Sequence, residues 1–216
     1  VLKFHFIRHA ESIGNLRPEY VGGQSSHYPL SDEGVVQARL LGKRYALTKL
    51  AADYELWASP AVRTRQTAQY FCEALGLDVE KVHFSEQLLE LSQGDWTGLL
   101  RKDVYTPRVL SQIKADAWHF AAPNGESQSD VGRRMYLWIR AQIDRHEADC
   151  NKTLYIFTHG VAIKSMLREL FGIDNPHTYK IHIENTSITA VDYDYETCFS
   201  LRNINDVAHL QLLRLD

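Results

Sequence analysis

The stretch Thr153-Leu154-Tyr155-Ile156-Phe157 is apolar almost throughout and ends abruptly in Thr158-His159-Gly160. A short run rich in β-branched and aromatic residues reads as a strand covered on both faces, as in the middle of a parallel sheet. Directly after it the period turns helical, with Ile163, Leu167, Leu170 and Phe171 at helical spacing. The same layout recurs upstream. The β-rich segment Leu2-Lys3-Phe4-His5-Phe6-Ile7 runs into Arg8-His9, and Tyr54-Glu55-Leu56-Trp57-Ala58 runs into Ser59-Pro60. Ligands of open α/β sheets bind outside the carboxyl ends of the strands. Three strands thus bring Arg8, His9, Ser59 and His159 to one rim.

The rest of the chain fits this frame. Ser31 is placed to cap a helix whose first turn holds Asp32 and Glu33, with Val35, Ala38, Leu41 and Tyr45 at helical spacing. Ser59-Pro60 opens a second helix with Ala61, Ala68, Phe71, Cys72 and Leu75 on its apolar face and Gly76 at its end. A short strand is predicted near 82–85, a loop over 92–99, weak helix over 100–122 broken by Pro107, and a long helix over 126–147. Val131, Met135, Trp138, Ile139 and Ile143 form its inner face. Segments near 179–183, 187–193 and 198–204 are β-rich. The alternation predicts an α/β fold, with a mostly parallel central sheet and helices on both faces in three layers. The expected organisation is a single domain over 1–216, with a small cap or substrate segment around 92–122.

Composition narrows the function. A chain of 216 residues fits one domain, and 44% hydrophobic residues supply its core. A formal charge of −3 is too near neutral to imply nucleic acid or a membrane surface as partner. No apolar run approaches the ~20 residues that span a bilayer. Residues 1–7 lack a signal-peptide layout, although a chain numbered from Val1 leaves an earlier leader open. Cys72, Cys150 and Cys198 show no metal or disulfide spacing, so free thiols and a cytoplasmic location are expected.

Five motifs carry the chemistry: Arg8-His9-Ala10-Glu11-Ser12-Ile13-Gly14-Asn15; Ser59-Pro60-Ala61-Val62-Arg63-Thr64-Arg65-Gln66-Thr67-Ala68; Leu88-Leu89-Glu90 with Gly94-Asp95-Trp96-Thr97-Gly98; Pro123-Asn124-Gly125-Glu126-Ser127; and Thr158-His159-Gly160. In this order they closely resemble the histidine phosphatase superfamily, also called the phosphoglycerate mutase-like family, from residue 3 to about residue 190. Ala10 stands where many members have glycine, and Asn124 stands where Gly-Gly is common. The resemblance implies a phosphoglycerate mutase-like fold. It makes His9 the nucleophile that forms a phosphohistidine, His159 a second, positively charged histidine of the site, and Glu90 the acid and base.

The residue types suit that chemistry. A phosphate monoester is a compact dianion whose transition state spreads charge over three oxygens, so fixed positive charge is what a protein can offer. Arg8 and Arg63 supply planar, bidentate donors. Ser12 and Asn15 can add neutral hydrogen bonds, and Gly160 can present a helix-start N–H to an anion. A nucleophilic His9 needs one nitrogen free and the other protonated on a local acceptor. The arginines and histidines already neutralise the phosphate, and no metal-ligand constellation is present, so a metal-independent enzyme without a cofactor is expected. Alternatives stay open at several positions. Glu86 rivals Glu90, Arg65 reads as a solvated helix residue, and Glu126-Ser127 can be simply a helix start. The other eight histidines (His5, His27, His83, His119, His146, His177, His182 and His209) read as structural.

A phosphomonoester hydrolase is the leading function, acting on a small phosphorylated substrate and releasing inorganic phosphate. A cofactor-dependent phosphoglycerate mutase is the alternative, and a non-catalytic phosphate-binding module is the third reading. The mutase needs extra cations for the substrate's carboxylate and distal phosphate. Residues 100–122 are short and offer Tyr105, Trp118, His119 and Phe120 in place of a clear arginine cluster. The oligomeric state stays open, a dimer among the options.

Overall fold

The computed structural model describes residues 1–173 and 180–214. Strand β1 (Leu2–Arg8) leads through a long loop to helix α1 (Asp32–Thr48), then β2 (Tyr54–Ala58), α2 (Val62–Leu75) and β3 (Val82–Phe84). Two short helices follow, α3 (Arg101–Val104) and α4 (Pro107–Ala115), then the long α5 (Gln128–Asp144). Strand β4 (Lys152–Thr158), helix α6 (Gly160–Phe171) and the hairpin β5 (Ile188–Asp194) and β6 (Cys198–Asp206) complete the sheet. Its order is β3-β2-β4-β1-β5-β6. The first four strands in that order run parallel, while β5 is antiparallel to β1 and β6 to β5.

The apolar run at 153–157 becomes the central strand β4. Alternate residues serve opposite faces. Leu154 and Ile156 join Phe4, Phe6, Met135, Ile139, Ile163 and Leu167 in a core with α5 and α6. Tyr155 and Phe157 join Ile7, Leu41, Phe71 and Cys72 in a core with α1 and α2. Each such side chain contributes about 1.5–3 kcal/mol when fully buried, so both faces of β4 are committed. Helices therefore cover both faces of the sheet.

Register aligns the rim. Arg8 stands opposite Thr158, and Phe157 lies between Ile7 and Ala58. The ladder continues one step further, where His9 N–H donates to Thr158 O at 2.8 Å and Ser59 N–H to Phe157 O at 2.9 Å. His9, Ser59 and His159 thus leave three adjacent strands at one level.

Several boundaries differ from expectation. Helix α2 starts at Val62 with Ala61 as its cap, and alanine has no side-chain acceptor to offer; the Ser59 hydroxyl lies 2.9 Å from His159 Nε2 and accepts from Ala61 N at 3.5 Å. Pro107 begins α4 at its first turn, capped by Thr106, rather than only interrupting a helix. Helix α5 is shorter than 126–147, starting behind a capping box of Ser127 and Asp130. The strand expected at 179–183 is not formed over 180–183, where the Ile183 carbonyl accepts from Arg8; residue 179 lies outside the described residues. Cys72, Cys150 and Cys198 are free, and no described helix is long and apolar enough to cross a membrane.

Candidate active site

The His9 ring is buried at the end of β1. Its backbone is pinned on the outer side, with the carbonyl accepting from Asn185 Nδ2 at 2.9 Å. Nδ1 lies 2.7 Å from the Ala10 carbonyl, and Nε2 faces Arg63 Nε at 3.2 Å. A guanidinium has only donors, so Nε2 must carry a lone pair and Nδ1 the proton. Burial, with Arg63 and Arg8 adding to it, holds the imidazole well below its ordinary pKa of 6.5. The neutral form of His9 is therefore favoured, with the Nε2 lone pair directed at Arg63.

The same guanidinium reaches the second histidine. Arg63 Nη2 lies 3.1 Å from His159 Nδ1, and His159 Nε2 lies 2.9 Å from Ser59 Oγ. The same donor logic makes Nδ1 the acceptor and leaves the proton on Nε2, facing the serine. His159 is wholly buried, and burial, then Arg63 and His9, push it well below 6.5. Burial first, and then the surrounding cations and the second imidazole, disfavour the positive charge expected on His159. The two rings sit 5.3 Å apart, edge to face.

Arg63 is itself buried within the first turn of α2, with Nη1 donating to Ser25 O at 2.5 Å and Nη2 to Gly23 O at 3.4 Å. Arg8 Nη1 donates to Ile183 O at 2.6 Å, while Arg8 Nε is buried without a partner. Burial lowers the pKa of both guanidiniums, with Glu90 opposing it, yet arginine starts high enough to stay charged. Gly160 lies against the Arg8 side chain, where a Cβ would make only an ordinary contact with Nε at 3.4 Å.

Glu90 sits on the N-terminus of α6. Its Oε1 accepts from Leu91 N and Ala162 N, both at 3.0 Å, and its Oε2 from Val161 N at 3.2 Å. The helix dipole favours a carboxylate there. Oε2 takes one bond and keeps a lone pair that can hold a proton. Ser12 donates through N and Oγ to Asn15 Oδ1 at 2.9 and 3.0 Å, so its hydroxyl proton is used to orient Asn15. The amide NH2 of Asn15 is left for another acceptor.

Arg8, His9, Ser12, Asn15, Arg63 and Glu90 line one cavity of about 390 Å³. His159 lies behind Arg63 rather than on the wall. Glu86 is exposed in the short turn before Leu88 and does not line the cavity. Arg65 is exposed over the Phe84 ring, 5.1 Å from its centroid. His177 lies outside the described residues. Among the described residues no group of three or more His, Cys, Asp or Glu side chains could hold a metal ion. The sequence reading missed Arg17, Tyr28, Gln93 and Arg101, which also line the cavity. Arg17 follows the first motif by two residues and Arg101 follows Gly98 by three, so proximity to motifs was the available signal.

The His9 imidazole, two arginines and a carboxylate meet at one cavity, with His159 behind Arg63, and such a set of groups suits an anionic ligand. The profile of the histidine phosphatase superfamily (branch 1) matches residues 4–207, and the chain belongs to that family. It is 27% identical over 212 residues to phosphoserine phosphatase 1 of Hydrogenobacter thermophilus, covering 97% of this chain and 95% of the relative. It is 26% identical over 226 residues to a probable phosphoglycerate mutase of Yersinia pestis, covering 100% of this chain and 98% of that one. A phosphoserine phosphatase mutant from Entamoeba histolytica, solved with phosphoserine, shares the fold with a TM-score of 0.80 at 21% identity, covering 97% of this chain and 100% of the other.

Proposed function

We propose that the protein is a phosphomonoester hydrolase that works through a phosphohistidine on His9 and needs no metal. One observation carries the reading: the Arg63 donor on His9 Nε2 requires the tautomer a nucleophilic histidine needs. In the first step Nε2 attacks phosphorus, the P–O bond to the alcohol breaks, and Glu90 gives the departing oxygen its proton. Arg63 turns from His9 to the phosphoryl oxygens, joined by Arg8 and Asn15. An incoming dianion favours protonation of His159, which then adds its charge. Gly160 N–H is a further donor at the helix start. In the second step Glu90 takes a proton from water, the water oxygen bonds to phosphorus, and the P–N bond breaks to release inorganic phosphate. The orphaned Arg8 Nε supports an anion site, since a buried donor without a partner is costly.

The substrate that fits is a small phosphomonoester with a second acidic group. Arg17 and Arg101 add two cations to the same cavity, and the 92–122 segment that supplies Arg101 acts as the cap of a single domain. Phosphoserine, named with the relatives, belongs to this class. The free thiols fit a cytoplasmic location. The same two arginines favour a second reading, a phosphoglycerate mutase, because they answer its need for extra cations. The deciding experiment is a panel of phosphomonoesters, phosphoserine and 3-phosphoglycerate included, assayed with and without excess chelator for phosphate release and for isomerisation. Phosphate release that survives chelation supports the hydrolase. Isomerisation faster than release selects the mutase, and a strict metal requirement removes the metal-free mechanism.

A further inference from the structure

The fourth motif, Pro123 to Ser127, touches none of the residues assigned chemistry above, yet it is built against the loop that carries Glu90. Asp95 N–H donates to Pro123 O at 3.0 Å and Glu126 N–H to Ser92 O at 2.9 Å. Gly94 has φ +48°, and a Cβ there would lie 2.1 Å from Pro123 O, so only glycine lets these backbones meet. Glu126 Oε2 accepts from Ser92 N at 2.9 Å. Arg134 on α5 grips Glu126 through Nε at 2.8 Å and Nη2 at 3.1 Å, and reaches the carbonyls of Gln87 at 2.7 Å and Glu90 at 3.0 Å. The segment 87–92 is thus held at both ends by one partly buried bidentate pair.

One side chain joins this clamp to the opposite wall. Gln24 Nε2 donates to Glu90 O at 2.9 Å and approaches Glu126 Oε2 at 3.4 Å. Both partners are acceptors, which fixes the amide orientation. The residues flanking Gln24 are Gly23 and Ser25, whose carbonyls receive the Arg63 guanidinium. Gln24 therefore bridges the loop that sets Arg63 and the loop that sets Glu90.

We propose that Gln24 is a positioning residue that fixes the phosphate-binding arginine and the acid–base carboxylate relative to each other, with Glu126 and Arg134 as its anchor. The proposal rests on the hydrolase reading for the roles of Arg63 and Glu90. Misplacement of a reacting group by a small distance can cost about 10²-fold in rate. A bridge predicts that one substitution disturbs both halves together.

The test compares Gln24→Ala, Gln24→Glu and wild type. Gln24→Ala is expected to raise the Kd for inorganic phosphate by at least ~5-fold and to cut alcohol release from an alkyl phosphate ~10- to 10²-fold more than from an aryl phosphate. Hydrogen exchange in residues 22–26 and 88–92 should rise together. Gln24→Glu should be worse than Gln24→Ala, because it cannot donate to Glu90 O and sets a second carboxylate beside Glu126. A merely space-filling role predicts instead that Gln24→Glu resembles wild type. That result, or a change in only one of the two loops, overturns the proposal. If wild type itself turns over no phosphomonoester, the hydrolase reading falls, while phosphate binding and the paired exchange still decide the bridge.

Discussion

Arg63 stands between two histidines, its Nε 3.2 Å from His9 Nε2 and its Nη2 3.1 Å from His159 Nδ1. This cation adds to burial in disfavouring charge on both imidazoles, and it covers the nitrogen proposed to attack phosphorus.

Replacing Arg63 with lysine keeps the charge but loses this fork. A lysine cannot donate to both histidines and then bind two phosphoryl oxygens. Arg63→Lys is expected to lower kcat/KM by at least ~10²-fold, the scale of one strong preorganised donor. Near-wild-type kinetics would place Arg63 outside the reacting centre.

His159 gives a prediction about protons. It is neutral in the free protein, with a pKa well below 6.5, and a bound dianion raises that pKa. Binding therefore takes up a proton. Affinity should fall with rising pH from the free pKa up to the bound one and level off above it. Calorimetry with sulfate, which has no proton to exchange near neutrality, should show uptake in buffers of different ionisation enthalpy. His159→Gln should abolish the uptake; uptake that persists would assign the proton elsewhere.

The buried histidines also set the acid limit of stability. His5 and His209 are pushed down to about 4, and His9 and His159 also lie well below 6.5, all chiefly by burial. Below pH ~6.5 the unfolded chain binds protons that the folded one refuses, so stability falls with acid at up to ~1.4 kcal/mol per pH unit per histidine. Urea unfolding between pH 7 and 5, above the carboxylate range, should show a loss steeper than one histidine can give. A flat profile would mean that these rings protonate without unfolding.

Glu90 is tested by the leaving group. An alkyl alcohol needs protonation to depart, whereas an activated phenolate does not. Glu90→Gln should slow the burst of alcohol release from an alkyl phosphate ~10²–10⁴-fold and from an aryl phosphate far less. Equal losses would remove Glu90 as the leaving-group acid.

Much of this was legible in the sequence because strand ends announce themselves. The break from Phe157 to His159-Gly160 and from Ile7 to Arg8-His9 located the rim, and the cap at Ser31 was read correctly. What stayed hidden depends on contacts across the fold. The lowered pKa of His159 follows from burial and from Arg63, 96 positions away, and no local pattern carries either. Ser59 looked like a helix start but serves His159. Residues 180–183 have strand composition, yet the Ile183 carbonyl is used by Arg8. Arg17 and Arg101 become cavity residues only when their loops meet at the Tyr20–Leu100 bridge.

The central claim is that phosphorus becomes bonded to His9. A single-turnover reaction with a good phosphomonoester, quenched under denaturing alkaline conditions because phosphohistidine is lost in acid, should yield one phosphoryl adduct. Peptide mass analysis should place it on His9, and His9→Ala should lose adduct and turnover together. An adduct on any other residue, or none during turnover, would contradict the mechanism.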